Sequence, residues 1–181
     1  DVGRTPELVS TYTDYVKRNV SIPVIAKMTP NLAAMTNVAF AAHLAGADGI
    51  SAINTIKSVT LNNRSAVSTQ KTISGYSGRA VKPIALRFIL GIANNPLRKK
   101  LELSGIGGIE SWWDALDFIR LGCANVQVCT AVMQYGQRII DDLKLGLQNY
   151  MLEKGVTQLK DLVGTEIHHF VTPAELDRDT I

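Results

Sequence analysis

The sequence predicts an α/β fold in which short parallel strands alternate with helical crossovers. Apolar stretches of strand length recur along the chain, and a stretch with helix signals follows each one. No tight-turn signal joins consecutive strands as a hairpin. A first helix and four strand–helix pairs fit either an open doubly wound sheet or half of a (β/α)8 barrel. Since half a barrel leaves two bare sheet edges, we expect an oligomer or a lost N-terminal half.

The first helices and strands are predicted from the spacing of apolar residues and from residues that typically begin or end a helix. Residues 7–19 place apolar side chains on one helical face, and residues 22–30 form a short apolar strand. Asn31 is suited to cap a helix over residues 32–45, and a second strand follows at residues 47–54.

A long polar connection separates the second unit from the third. Residues 55–82 lack clear periodicity, and a connection of that length is uncommon in a compact domain unless it has a function. The later elements rest on signals such as Pro83 in a first helical turn and Ser111 as an N-cap. They are a helix from Pro83 toward Asn94, a strand at 101–104, a helix at 111–121, a strand at 125–129, a helix at 131–153 and a short helix with a tail past Gly155.

The composition narrows the classes of protein to which this chain can belong. The 181 residues fit one domain, 46% are hydrophobic and 19% are charged, and no apolar run approaches the ~18 residues of a membrane span. We therefore expect a globular, cytoplasmic protein without a membrane segment. The net charge is +3, and the basic cluster at residues 98–100 has no interleaved aromatic residues, so we expect no nucleic-acid partner. Cys123 and Cys129 lack metal-ligand spacing, so we expect reduced thiols and no metal.

Polar or glycine residues follow every predicted strand, where ligands bind in both candidate architectures. Lys27 comes directly after the apolar run of the first strand and either points into solvent or faces a ligand that carries negative charge. Asn54 follows the second strand, and it is either a turn residue or the partner of an amide or pyrimidine edge. Cys129 and Thr130 follow the fourth, and no candidate base lies beside Cys129 in sequence to make it a nucleophile.

The third strand ends in a glycine turn, Gly105-Ile106-Gly107-Gly108, just before the helix that Ser111 starts. Such a turn is either a plain strand-to-helix connection or a phosphate cradle. Glycines allow close backbone approach, and a helix N-terminus favours an anion.

Five ordered motifs stand out along about residues 20–150. They are Ile-Pro-Val-Ile-Ala-Lys-Met-Thr-Pro-Asn (22–31), Ala-Asp-Gly-Ile-Ser-Ala-Ile-Asn-Thr (47–55), Gly-Tyr-Ser-Gly-Arg-Ala-Val-Lys-Pro-Ile-Ala-Leu-Arg (75–87), Gly-Ile-Gly-Gly-Ile (105–109) and Gln-Val-Cys-Thr-Ala (127–131). Together they resemble the FMN-binding barrel of the dihydropyrimidine dehydrogenases, most closely the bacterial NAD-dependent type, and dihydroorotate dehydrogenases share the general plan.

The resemblance implies a function and a role for each strand-end residue. The family reduces uracil or thymine reversibly to the 5,6-dihydro form by hydride transfer between flavin N5 and pyrimidine C6. The pyrimidine would contact Asn54 and Thr55. Lys27 would contact the flavin ring, and the remaining FMN contacts would be Gly78, Ile106, Gly107, Gly108, Cys129 and Thr130.

The resemblance also implies parts that lie outside this chain. The family's acid, a cysteine on a mobile loop, would precede residue 1, so we expect no catalytic residue here and little activity from this chain alone. Residues 1–154 would form the second half of the barrel, and residues 155–181 a tail toward a domain with 4Fe–4S clusters. Electrons from NAD(P)H would arrive through an FAD-containing partner subunit or domain. The rival functions are dihydroorotate oxidation and a non-catalytic, phosphate-binding half-barrel that forms a homodimer.

Overall fold

The computed structural model describes residues 2–59, 73–98 and 101–172. The helices are α1 (Pro6–Asn19), α2 (Met35–Leu44), α3 (Lys82–Ala93), α4 (Trp112–Arg120), α5 (Thr130–Tyr135) and α6 (Arg138–Lys154). The strands are β1 (Ile25–Met28), β2 (Gly49–Ala52), β3 (Ile56–Ser58), β4 (Ser74–Tyr76), β5 (Glu102–Ile106) and β6 (Asn125–Gln127). Short 3-10 turns occupy Val2–Arg4, Arg79–Val81, Pro96–Arg98 and Leu159–Leu162.

Four strands form one parallel sheet in the order β1-β2-β5-β6, which confirms the predicted α/β class. The register aligns Lys27, Ser51, Ser104 and Asn125 in one row across the sheet. Helices α2, α3 and α4 pack against the strands and bury the apolar residues between them. Because the strands run in parallel, all four carboxyl ends meet at one edge. That edge carries the predicted ligand-binding residues.

The connection between the second and third units contains a ribbon that the sequence analysis did not predict. Strands β3 and β4 pair antiparallel, with Ile56 opposite Tyr76. The sequence carries no signal for this pair because the two strands are short, lack alternation and are separated by residues 59–73. Residues 60–72 of the predicted connection lie outside the described residues. In the ribbon itself, a Cβ at Gly75 of β4 would lie 2.3 Å from Thr55 Oγ1, so this close approach requires glycine.

Side chains cap the starts of α1 and α4, and the cap of α4 is the one that the sequence predicted. Thr5 Oγ1 accepts from the Leu8 N–H at 3.3 Å at the start of α1, and Ser111 forms a capping box with Asp114 at the start of α4. The predicted cap at Asn31 was wrong, since α2 begins at Met35 with no side-chain cap. Asn31 is engaged elsewhere, as described below. The predicted final helix is two helices, because Gly136 interrupts it with a φ of +72°.

Residues 155–172 pack on α4. The Gly164 N–H donates to the Ile119 carbonyl at 3.1 Å, and the Glu166 N–H donates to the Arg120 carbonyl at 3.0 Å. The 3-10 turn at Leu159–Leu162 confirms the short helix expected past Gly155. The domain boundary after residue 154 stays a prediction, and residues 173–181 of the predicted tail lie outside the described residues, as do Lys99 and Lys100 of the basic cluster.

Across the described ranges, no helix is long and apolar enough to cross a membrane. No group of three or more metal-ligating side chains comes together in those ranges either.

Candidate active site at the carboxyl ends of the strands

A cleft of about 620 Å³, counted with its open mouth, lies at the carboxyl ends of the parallel strands. All nine residues singled out from the sequence line it, although they come from five separate stretches of chain. They are Lys27, Asn54, Thr55, Gly78, Ile106, Gly107, Gly108, Cys129 and Thr130. Their individual ligand roles stay predictions.

Backbone hydrogen bonds extend the ladder past the end of β2 and fix the start of the β2–β3 connection. The Ile53 N–H donates to the Ile106 carbonyl at 2.9 Å, and the Asn54 N–H donates to the Met28 carbonyl at 2.8 Å. Asn54 Oδ1 accepts from the Thr55 N–H at 2.8 Å. This bond occupies Oδ1, and the Asn54 amino group can still donate to an acceptor such as a ligand carbonyl.

The glycine turn after β5 packs against the start of α3. Gly107 has a φ of +129° and Gly108 a φ of +72°, which side chains rarely adopt. A Cβ at Gly108 would lie 2.9 Å from the Gly78 carbonyl oxygen and 2.8 Å from Lys82 Cβ. Two loops of the cleft therefore meet backbone to backbone at Gly108.

Four backbone amides at this edge are suited to an anion. No acceptor among residues 2–59, 73–98 and 101–172 meets the N–H of Gly107, Gly108, Cys129 or Thr130. Backbone N–H groups clustered in a turn attract phosphate oxygens. The bare backbone of the glycines and these amides fit the phosphate of a nucleotide-like cofactor.

Asp114 ties the glycine turn to α3 and α4. One carboxylate oxygen accepts from the N–H groups of Glu110 at 3.0 Å and Ser111 at 2.8 Å, and the other accepts from Lys82 Nζ at 2.5 Å. Lys82 Nζ also lies 2.6 Å from Asp117 Oδ2. These bonds hold the segment after the turn against the first turn of α3.

The charges of this network are mutually stabilised. Burial alone would raise the pKa of Asp114, but the hydrogen bonds from Lys82 and Ser111 outweigh it and lower that pKa from 3.8. Burial alone would likewise lower the pKa of Lys82, but Asp114 and Asp117 raise it above 10.5. Both groups are therefore ionised near neutral pH, and neither is poised to transfer a proton.

Four polar residues of the cleft were missed by the sequence analysis, namely Tyr76, Ser77, Glu110 and Gln127. The Ser77 hydroxyl lies 3.0 Å from the Thr130 hydroxyl, and Glu110 Oε1 accepts from the Arg79 N–H at 3.1 Å. Gln127 Nε2 donates to Ser104 Oγ at 2.8 Å. Gln127 could have been found, because period-two alternation puts it on the same strand face as Cys129. Tyr76 and Ser77 carried no such signal.

The two cysteines differ in environment. Cys129 is exposed at the cleft, whereas Cys123, two residues before β6, is fully buried. Burial raises the pKa of the Cys123 thiol to about 12, with a smaller opposing effect of Arg98. Cys123 is therefore a packing residue, as the sequence indicated.

Comparisons with known proteins place these residues in a family. The model of the family described as dihydroorotate dehydrogenase matches residues 1–151. The NAD-dependent dihydropyrimidine dehydrogenase subunit PreA of Escherichia coli (strain K12) is 49% identical over all of this chain and 46% of its own length. The catalytic subunit of dihydroorotate dehydrogenase B (NAD(+)) from Thermococcus kodakarensis is 37% identical over 91% of this chain and 54% of its own. The chain thus spans about half the length of the curated relatives it matches.

A solved structure supports the fold. The crystal structure of DHODH from Eimeria tenella in complex with ferulenol matches 81% of this chain and 39% of that chain, with a TM-score of 0.64 and 25% identity. With four parallel strands, helical crossovers and about half the length of its relatives, the chain agrees with the predicted half-barrel. The family match and these similarities together establish that the chain belongs to the dihydroorotate dehydrogenase family, in which it is similar to dihydropyrimidine dehydrogenases.

Proposed function

We propose that this chain is the second half of the FMN-binding barrel of a dihydropyrimidine dehydrogenase that acts on uracil or thymine. The observation that carries the proposal is the meeting of nine residues, assigned to cofactor and substrate from separate motifs, in one cleft. The 49% identity to a dihydropyrimidine dehydrogenase subunit over the whole chain favours this substrate class. Bound FMN supplies reversible hydride transfer to the pyrimidine.

The residues of this chain hold the cofactor in the proposal. The phosphate is bound by four backbone amides, those of Gly107, Gly108, Cys129 and Thr130. A Cβ at Gly108 would block the space between two loops at this site. Gly78 and Ile106 also line the cleft and would supply further contacts to FMN. Lys27, the last polar side chain of β1, places its ammonium group beside the ring and stabilises negative charge there.

Asn54 and Thr55 recognise the pyrimidine. The Asn54 amino group donates to a ring carbonyl, since its Oδ1 is already bonded to the Thr55 N–H. Thr55 lies against Gly75 of β4, which fixes the position of its side chain at the substrate edge. A flat ring that carries amide carbonyls, such as a pyrimidine, can accept a hydrogen bond from the Asn54 amino group.

The proton donor at pyrimidine C5 comes from outside this chain. Cys129 contributes its backbone N–H to the phosphate site, and Cys123 is buried away from the cleft. The proposal also assigns NAD(P)H oxidation to an FAD-containing partner subunit or domain, with 4Fe–4S clusters outside this segment, in the cytoplasm. The isolated 181-residue chain therefore has little or no dehydrogenase activity.

Dihydroorotate oxidation is the second candidate, favoured by the family model and by the 37% identical relatives. Orotate carries a carboxylate that uracil lacks, so it needs an additional cationic or amide-rich contact.

The test uses the full-length protein with its electron-transfer partner. The proposal predicts a yellow protein that oxidises NADH when uracil or thymine is added, with orotate inert. Turnover of dihydroorotate with uracil inert would replace the proposal with the second candidate. A colourless protein whose sheet edges pair in a homodimer would replace it with a non-catalytic half-barrel. Steady uracil-dependent NADH oxidation by the 181-residue chain alone would show that the proton donor has been misplaced.

A further inference from the structure

We propose that Asn31 is a positioning residue for the pyrimidine, acting through the β2–β3 connection; this inference rests on the function proposed above. Asn31 lies in the loop after β1 and reaches across to the connection that carries Asn54 and Thr55. Its Nδ2 donates to the Thr55 carbonyl at 3.1 Å, and its Oδ1 accepts from the Lys57 N–H at 2.8 Å. One carboxamide thus pairs with a carbonyl of the connection and with an N–H of β3, as a neighbouring strand would.

The orientation of the Asn31 carboxamide is fixed by its partners. Nδ2 also donates to Thr29 Oγ1 at 3.0 Å, within the same loop. A flipped amide would set its oxygen against the Thr55 carbonyl and its amino group against the Lys57 N–H. Only the observed orientation satisfies the amino group and the oxygen together.

The connection depends on this clamp because it lies between strands. β2 ends at Ala52 and β3 begins at Ile56, so residues 53–55 have no continuous ladder. The backbone N–H groups of Ile53 and Asn54 hold the first part of the connection, and Asn31 holds the Thr55 carbonyl. Since Asn54 Oδ1 is bonded to the Thr55 N–H, the direction of the Asn54 amino group follows the placement of Thr55.

The interactions of Asn31 have no role in starting a helix. α2 begins four residues later, at Met35, and its N-cap residue is Ala34. The Asn31 side chain is also exposed, so it adds little to the apolar core. Its three side-chain bonds instead join the loop after β1 to the residues that are proposed to contact the substrate. This loop follows Lys27 in the chain.

The test is Asn31→Asp in the full-length protein with its partner. The carboxylate is isosteric and keeps an acceptor for the Lys57 N–H, but it sets an oxygen against the Thr55 carbonyl. We expect the Kd for uracil, read from the change in flavin absorbance on titration, to rise about tenfold, with KM rising in parallel. Flavin content, FMN affinity and Tm stay as in the wild type.

Asn95→Asp is the matched control. Asn95 Oδ1 accepts from the Leu97 N–H at 2.9 Å in a turn that follows α3, at the opposite end of the sheet from the cleft. Its change leaves uracil binding as in the wild type. Asn31→Ala, which removes the bonds without adding charge, raises the uracil Kd in the same direction.

The outcomes separate this inference from the proposed function. If the wild type bound neither flavin nor uracil, the proposed function would fall, and this inference with it. If the wild type bound uracil and Asn31→Asp bound it equally well, only the positioning role would fall. A parallel loss of FMN affinity, uracil affinity and Tm would overturn the positioning role in favour of a structural one.

Discussion

Replacing Gly108 with alanine probes the phosphate turn directly. Gly108 has a φ of +72°, and the new Cβ would lie 2.9 Å from the Gly78 carbonyl oxygen and from Lys82 N, and 2.8 Å from Lys82 Cβ. The left-handed backbone costs about 1–2 kcal/mol for a residue with a side chain. Crowding against neighbours that are largely backbone adds about 1–3 kcal/mol. We therefore expect the free energy of unfolding to fall by about 2–5 kcal/mol.

Gly155→Ala is the matched control because it separates the two effects. Gly155 has a φ of +67° after α6, and no atom lies within 4 Å of the position that its Cβ would occupy. The control carries only the backbone cost of about 1–2 kcal/mol. Urea unfolding of both variants measures the difference, which we expect to be about 1–3 kcal/mol.

A binding assay connects the same substitution to function. FMN and riboflavin differ by the phosphate, so the ratio of their Kd values measures the contribution of the phosphate site. We expect Gly108→Ala to reduce the preference for FMN by about tenfold or more, because the displaced turn carries two of the four proposed phosphate amides. Gly155→Ala leaves that preference unchanged. If Gly108→Ala matched the control in both unfolding and FMN preference, the packing argument at the turn would be refuted.

Three further predictions concern Lys27, Asp114 and the cysteines. Lys27→Met lowers the rate of uracil reduction about 100-fold while flavin stays bound, as steady-state kinetics and flavin content will show. Asp114→Asn leaves the half-buried Lys82 with one carboxylate, so it lowers the free energy of unfolding by about 2–4 kcal/mol at pH 7. The control is Asp142→Asn, which removes an exposed ion pair with Arg138 and changes the free energy of unfolding by less than about 1 kcal/mol. The pKa of Asp114 is lowered from 3.8, so the stabilisation by its carboxylate is present above pH 3.8 and is lost as the pH falls through the folded-state pKa. The acid denaturation curves of the Asp114→Asn variant and the wild type therefore converge at low pH. Iodoacetamide at pH 8 labels Cys129 and spares Cys123, and FMN slows the labelling of Cys129, as peptide mapping will show.

The sequence predicted the elements whose signals are local. The apolar strands, the Ser111 cap and the end of the last long helix just before Gly155 depend on neighbouring residues, and the structure places them close to expectation. The β3–β4 ribbon depends on pairing between distant short segments without alternation, so its signal was absent. The break at Gly136 was missed because one glycine in a long helical pattern is often tolerated.

The candidate site was predictable to the extent that parallel strands align their carboxyl ends. Lys27 lies near the carboxyl end of β1, and Asn54, the glycine turn and Thr130 lie at or just after the ends of their strands, so topology alone brings them to one cleft. Asn31 shows the limit of this reasoning. An asparagine before an apolar helix reads as a cap, but its amide pairs with a connection 24 and 26 residues away, which no local pattern reveals.

A crystal structure of the full-length protein with FMN and uracil tests the central claim most directly. The account predicts the phosphate within hydrogen-bond distance of the Gly107, Gly108 and Thr130 amides, the Lys27 ammonium group beside the flavin ring, and the Asn54 amino group on a uracil carbonyl. A phosphate bound at another edge of the sheet, or a ring out of reach of Lys27, would contradict it.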